Sequence, residues 1–172
     1  MPVHGRPETR SAVQHATAFA VYKPMASKPM TATIRIAVPP EQVFERIADL
    51  SRHEAFTDHF LIDWRDTGPD HVNVRAKVPG PEDRAEIDVI ERDPPRRLVE
   101  QLVAAKGKRR AISTWTLEPD GEDGTQVTFA TEQQATPAIE RVVAPLTRRW
   151  IQRGNEKSLE RLRDQAEGRA GV

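Results

Sequence analysis

Between His59 and Gln134 the chain passes through six β-patterned segments in a row, with no helix-like spacing between them. They are HFLIDWRDT (His59–Thr67), HVNVRAKV (His71–Val78), DRAEIDVIERD (Asp83–Asp93), RRLVEQLVAA (Arg96–Ala105), KRRAISTWTLE (Lys108–Glu118) and TQVTFATEQQ (Thr125–Gln134). The links are GPD, PGPE, PP, KG and PDGEDG, which are turn sequences. A parallel crossover needs a dozen residues or more. Links this short join only antiparallel neighbours, so the six segments form a meander. TATIRIAV (Thr31–Val38), β-rich and alternating, adds a seventh strand ahead of them. Such a sheet has one solvated face and one face that must be covered.

The cover has to come from the two ends of the domain. Pro40 suits the first helical position, where no N–H is needed, and Glu41 suits the positive end of the helix dipole. Val43, Phe44, Ile47, Ala48 and Leu50 follow at helical spacing. Ser51 is placed to cap a second short helix reaching about Phe56. The C-terminal region predicts a long helix from Pro137 to Ala166, with Thr136 as N-cap and Pro137 at its first position. Ile139, Val142, Val143, Leu146 and Trp150 make one apolar stripe on it. Beyond Gly154 the apolar positions, Ile151, Leu159 and Leu162, rotate around the axis. Pro145 should bend the helix. Thirty residues at about 1.5 Å each reach about 45 Å, enough to cross a strongly curved sheet. The expected fold is α+β: a seven-stranded curved antiparallel sheet wrapped around a long C-terminal helix, with two short helices after the first strand. Residues 30–167 read as one domain, with a flexible extension at 1–29 and a disordered tail at 168–172.

Composition removes several classes of function. There is no cysteine, so disulfides, thiolate metal sites and a cysteine nucleophile are excluded. The 26 basic and 26 acidic side chains cancel, unlike the basic balance of a usual nucleic-acid binder. No apolar run approaches the roughly 18 residues of a membrane span, and AFAVY (Ala18–Tyr22) is short for a signal core. The reading is a cytoplasmic chain without stable membrane insertion, monomer or homodimer, with no nucleic-acid partner and no cofactor.

Alternation along the strands selects an inner face. It contains Phe60, Ile62 and Trp64; Val72, Val74, Ala76 and Val78; Ala85, Ile87 and Val89; Ala111, Ser113, Trp115 and Leu117; and Val127, Phe129 and Thr131. In RRLVEQLVAA both faces carry apolar residues, so Leu98/Glu100/Leu102 and Val99/Gln101/Val103 remain alternatives. Many inner residues are small, and one helix over a curved sheet of small side chains leaves a cavity. The alternative is that Trp64, Trp115, Phe129 and Trp150 fill it.

VPPEQVFERIADLSRHEAF after the first strand, VIERDPPRRLV at a central hairpin, PDGEDGTQVTFATE at the last hairpin and the arginine-rich LTRRWIQRGNEKSLERL occur in an order that resembles one family. It is the START/Bet v 1-like helix-grip superfamily (SRPBCC), in its polyketide cyclase/dehydrase-like branch. The resemblance covers Thr31–Glu167. It implies a hydrophobic or amphipathic small molecule, such as a lipid or polyketide, held between sheet and helix. It carries no shared catalytic motif. Many relatives have a tryptophan and a proline where this chain has SRHEAFTD, and Phe56 takes the aromatic position.

The expected pocket therefore comprises Phe56, Phe60, Trp64, Val74, Ala76, Ile87, Trp115 and Phe129, with Val143, Leu146 and Trp150 from the helix. Ser113 and Thr131 would orient a polar end. Glu100, if it points inward, is the candidate for acid/base work on a substrate carbonyl. Arg75 or Asp88 would serve only if the faces of their strands were reversed. His53 and His59 are six apart rather than the four of H-E-x-x-H, so no metal site is expected and both histidines read as rim residues. The basic clusters at Lys106–Arg110 and at Arg148, Arg149, Arg153 and Lys157 admit an anionic headgroup, a membrane surface or nucleic acid. Acids interleaved at Glu156, Glu160 and Asp164 favour an ion-paired, solvated helix face. Three functions are open: a binding module, a cyclase/aromatase/dehydratase-type enzyme, or a protein-interaction regulator with a collapsed pocket.

Overall fold

The computed structural model describes residues 28–77 and 83–169. Most of the expected extension, Val78, the PGPE link and the last three residues lie outside them. The strands are β1 (Met30–Ile36), β2 (Leu61–Gly68), β3 (His71–Ala76), β4 (Asp83–Asp93), β5 (Arg97–Ala104), β6 (Arg109–Pro119) and β7 (Thr125–Ala135). They form one antiparallel sheet in the order β1-β7-β6-β5-β4-β3-β2. The short links place β2 to β7 side by side, and β1 closes on the free edge of β7, with Ala32 opposite Phe129. The step from β1 to β2 therefore crosses from one sheet edge to the other. It is made by α1 (Pro40–Ile47), a 3-10 turn at Leu50–Arg52 and α2 (Glu54–Thr57).

Register shifts bend the sheet at Ile62/Arg65, Asp66/Gly68, Val89/Glu91 and Arg110/Ala111. The first corrects the alternation of β2. Asp63 takes a positive φ of 55°, and Leu61 and Trp64, rather than Ile62 and Trp64, reach the inner side. The cap after α1 also differs from expectation. Asp49, not Ser51, caps the 3-10 turn, accepting from the Ser51 backbone N–H at 3.1 Å and its hydroxyl at 2.6 Å.

The C-terminal helix starts later than its pattern implied. Residues Ala138–Val143 are 3-10, and α3 runs Ala144–Ala166. Pro145 sits in the first turn, where its missing N–H costs nothing, so it begins the helix instead of bending it. The face that α3 buries is Gly154, Asn155, Ser158, Leu159 and Leu162. The stripe expected ahead of it does not form: Val142 is 86% exposed, Leu146 67% and Val143 40%. The side chain of Ile139 lies outside the described ones.

Two apolar clusters result. Ile36, Val43, Phe44, Ile47, Leu98, Leu117, Val127, Leu159 and Leu162 surround Trp115 and Phe129 under α3. Leu50, Leu61, Val72, Val74, Ala76, Ala85 and Ile87 pack under the far strands.

Candidate functional site

The space between these clusters is a cavity of about 100 Å³, walled by residues of both. The register builds its sheet wall in rows. Leu98, Trp115 and Phe129 lie opposite one another across β5, β6 and β7. One step along come Glu100, Ser113 and Thr131, and then Leu102, Ala111 and Gln133. The cavity thus has a polar row between an apolar one and one whose first two members are apolar. From α3, Asn155 extends that row: it is buried, and its Nδ2 donates to the Met30 carbonyl at 3.0 Å and to Thr131 Oγ1 at 3.1 Å.

Glu100 lies on the inner face, which settles the alternative left by its strand; its side chain is on the cavity wall and the residue is 6% exposed. Trp115 Nε1–H donates to Glu100 Oε1 at 3.1 Å. His53 Nδ1 is 3.6 Å from the same oxygen. Its other nitrogen fixes the tautomer: Nε2 is 2.7 Å from the Ile47 carbonyl, which can only accept, so the proton is on Nε2. In the neutral ring Nδ1 then presents a lone pair to Glu100. Burial drives both groups towards neutrality. It takes His53 down to about 4, against the pull of the Ile47 hydrogen bond. It pushes Glu100 up to about 8, against the Trp115 hydrogen bond. At neutral pH the closed end of the cavity holds a carboxylic acid and an uncharged imidazole.

Aromatic rings brace this end. Trp115 stacks on Phe129 with centroids 3.9 Å apart, and the His53 ring is 4.9 Å from Phe56 and 5.8 Å from Trp64. Thr57 Oγ1–H donates to the His53 carbonyl at 2.6 Å. At the other end the walls are more exposed: Arg109, Gln133, Trp150 and Ile151 are half-buried and Arg110 is exposed, which makes this the mouth. Trp150 meets Phe60 edge-on at 5.8 Å.

Of the residues expected in the pocket, Phe60, Trp64, Ala76, Ile87, Ser113, Trp115, Phe129, Thr131 and Trp150 are on the cavity wall. Phe56 is not; it packs behind, edge-on to Trp115. Val74 is fully engaged in the second apolar cluster. Val143 and Leu146 are out because the 3-10 start of the helix turns them to solvent. His53, read as a rim residue, is 2% exposed and forms part of the closed end. His59 is half-buried behind Gly154, where Nε2–H donates to the Gly154 carbonyl at 3.0 Å and burial lowers its pKa. Arg75 faces outward and pairs with Asp63 at 3.0 Å, and Asp88 pairs with His71 at 2.6 Å. Asn155 and Gln133 join the wall without having been singled out; Leu102 joins it with the inward alternative of its strand, and Arg109 from the basic cluster Lys106–Arg110. Asn155 did leave a signal, a polar residue on the helix face that repeats Gly154, Ser158, Leu159 and Leu162. No group of three His, Cys, Asp or Glu among the described residues could hold a metal ion. No helix among them is long and apolar enough to cross a membrane.

Comparison with known proteins agrees with this architecture. No curated protein matches the chain. Solved structures do, at low identity. TTHA0849 from Thermus thermophilus is 20% identical with a TM-score of 0.65, covering 83% of this chain and 99% of that one. A START superfamily protein from Mycobacterium smegmatis is 11% identical with a TM-score of 0.66, covering 81% and 97%. The Zhui aromatase/cyclase from Streptomyces sp. R1128 is 15% identical with a TM-score of 0.62, covering 83% and 94%. These likenesses concern the fold. Residues 29–167 match the family described as polyketide cyclase / dehydrase and lipid transport, which is most of the chain. With that match, the chain belongs to the polyketide cyclase / dehydrase and lipid transport family, and its helix-grip sheet agrees.

Proposed function

We propose that the chain binds a small amphipathic molecule in this cavity, with its apolar body against Phe60, Trp64, Leu102 and Trp150 and an uncharged hydrogen-bonding end against Glu100, Ser113 and Thr131. The observation that carries the reading is the polar row of Glu100, Ser113 and Thr131 set between apolar walls, inward of a mouth that carries Arg109, Arg110 and Gln133. Apolar walls with a few placed polar groups are how small-molecule sites gain both affinity and orientation. Glu100 sharpens the choice of ligand. A protonated carboxyl donates to a carbonyl or hydroxyl oxygen, whereas a ligand carboxylate would bring an unpaired charge into the apolar end.

The test is a tryptophan-fluorescence titration, checked by native mass spectrometry, with a methyl alkyl ketone and the fatty acid of equal chain length. At neutral pH the ketone should bind at least about tenfold more tightly than the acid. Glu100→Gln, whose amide also donates, should keep ketone binding, and Glu100→Leu should weaken it. Absence of uptake of either probe, and of a wider lipid and polyketide panel, would remove the proposal.

Catalysis is the second reading, and Glu100 favours it too. An acid held protonated near neutral pH beside a bound carbonyl is placed to give up its proton in a cyclisation or dehydration. The same variant separates the two readings: Glu100→Gln keeps binding in both and loses turnover only if the chain is an enzyme. The third possibility, a regulator with a collapsed pocket, has no support in a cavity that is open.

A further inference from the structure

The outer face of the sheet, turned away from the cavity, carries a second concavity. It is a surface depression of about 420 Å³ on β2, β3 and β4, and its polar wall is Asp63, Arg65, Thr67, Asn73, Arg75 and Arg84. The bulge in β2 shapes it. The register shift between Ile62 and Arg65 takes Asp63 and Trp64 out of regular pairing, and the positive φ of Asp63, 55°, bends the strand there. Asp63 reaches Arg75 Nε at 3.0 Å. Arg65 resumes the ladder opposite Asn73, on the outer side, while Trp64 lies on the wall of the inner cavity.

Register gathers three arginines in this depression. Arg75 stands directly opposite Arg84 across β3 and β4, and Arg65, opposite Asn73, is on the diagonal from Arg75. Like charges directly opposite one another on an antiparallel sheet destabilise it, so the Arg75–Arg84 pair is a cost to the fold unless an anion joins it. Among the described residues Asp63 is the one acid on this wall, and it is paired with Arg75. Three arginines against one aspartate leave an excess of two positive charges, in a chain whose net charge is zero. Among the described residues neither Arg65 nor Arg84 has a carboxylate partner. Of the other acids on these strands, Glu86 lies off the wall, one row along opposite Asn73, and Asp66 accepts from the Gly68 N–H at 3.0 Å.

We propose that this depression binds the phosphate monoester of a small water-soluble molecule, with the guanidinium groups of Arg65, Arg75 and Arg84 around its terminal oxygens. Charge and geometry select the class. A phosphate monoester carries close to two negative charges at neutral pH, which matches the excess on the wall. Its three terminal oxygens offer each guanidinium an acceptor, and the planar N–H fork of arginine fits phosphate through two parallel hydrogen bonds. A carboxylate brings one charge and two oxygens to the same three cations. The surroundings select a soluble molecule over a lipid headgroup. The large apolar side chains that stand in solvent among the described residues are Ile90, Val142, Val143 and Leu146, and none of them is on this wall, so an acyl chain finds no surface beside the arginines. The site lies across the sheet from the ligand cavity, and the two are independent: Trp64 serves one and its neighbours Asp63 and Arg65 the other.

Isothermal titration of the full chain with glycerol 3-phosphate, at neutral pH in chloride buffer, tests the proposal without any apolar ligand. Binding should saturate with a dissociation constant of about 1 mM or less, and glycerate, with one charge in place of two, should bind at least about fivefold more weakly. Arg65→Gln and Arg84→Gln should each lose about tenfold, the usual contribution of a hydrogen bond to a charged group. Arg149→Gln, exposed on α3 at the other side of the sheet, should bind like the parent. Vesicles containing phosphatidic acid, which display the same monoester on a lipid, should not compete. Thermal unfolding is the second readout. Arg84→Gln removes the repulsion across β3 and β4, so in chloride it should melt no lower than the parent, and glycerol 3-phosphate should raise the parent's midpoint more than the variant's. Absence of saturable binding up to about 10 mM, an equal loss in Arg149→Gln, or glycerate binding as tightly as glycerol 3-phosphate would overturn the proposal. Competition by the vesicles would overturn its choice of a soluble ligand. Lack of phosphate binding alongside normal ketone uptake would remove this site and leave the cavity reading standing.

Discussion

Two titratable side chains, His53 and Glu100, meet at the closed end of the cavity, and burial holds each in its uncharged form. Their effects on stability have opposite signs. Unfolded, His53 returns to its ordinary value of 6.5, so between 6.5 and about 4 the unfolded chain binds the extra proton and stability falls as pH falls. Unfolded, Glu100 returns to 4.5, so between 4.5 and about 8 the native chain holds the extra proton and stability falls as pH rises. Where the windows overlap the two slopes cancel. Above 6.5 only Glu100 acts, and its share of the loss up to about 8 is about 2 kcal/mol. Urea unfolding across that range should therefore show an alkaline decline in the parent that Glu100→Gln removes. An unchanged decline in the variant would mean that Glu100 is ionised in the folded chain. The sequence left this residue undecided because Leu98 to Val103 is apolar on both faces, so alternation alone carries no direction. His53 was misjudged for a related reason: a histidine beside acids in a short helical link reads as polar rim, and only its hydrogen bond back to Ile47 makes its burial tolerable.

At the scale of elements, glycines set two close approaches with opposite consequences. Gly154 lies inside α3, and a Cβ there would rest 3.5 Å from the Phe60 ring, an ordinary contact. Gly154→Ala should therefore stabilise by about 0.5–1 kcal/mol through helix propensity, and Gly154→Leu should destabilise by pressing its branches into Phe60. Gly124 closes the β6–β7 turn, where the Asp120 N–H donates to the Gly124 carbonyl at 2.8 Å. A Cβ there would overlap the Asp120 carbonyl oxygen, so Gly124→Ala should lose about 1–3 kcal/mol. Thermal melts of the three variants check both claims. The strands were legible because period-two alternation survives everywhere except at bulges, and β2, with Asp63 at positive φ, is where it failed. The helix was legible over its second half only. Its first turns carry an apolar stripe, but with Pro145 fixing where the α-helix begins, that stripe has no neighbour to cover it.

At the scale of the whole molecule, the meander from β2 to β7 follows from link lengths, but the cavity does not. Short turns force β2 to β7 into sequence order and leave β1 two free edges, β2 and β7, of which it takes β7. Whether the aromatic side chains fill the grip depends on rotamers and on where α3 crosses, which spacing does not encode. Trp115 spends its volume stacking on Phe129, and Trp150 stays at the mouth, so the middle remains open. A fold that keeps such a void gains nothing in stability from it, which is the expected pattern for a binding site rather than a core. Ala111 sits on the cavity wall between Leu102 and Gln133, so a leucine there projects into the open space. Ala111→Leu should raise the urea midpoint and abolish ketone uptake. A variant less stable than the parent would show that the void is already closed in solution. A variant that is more stable yet still takes up the ketone would place the ligand elsewhere.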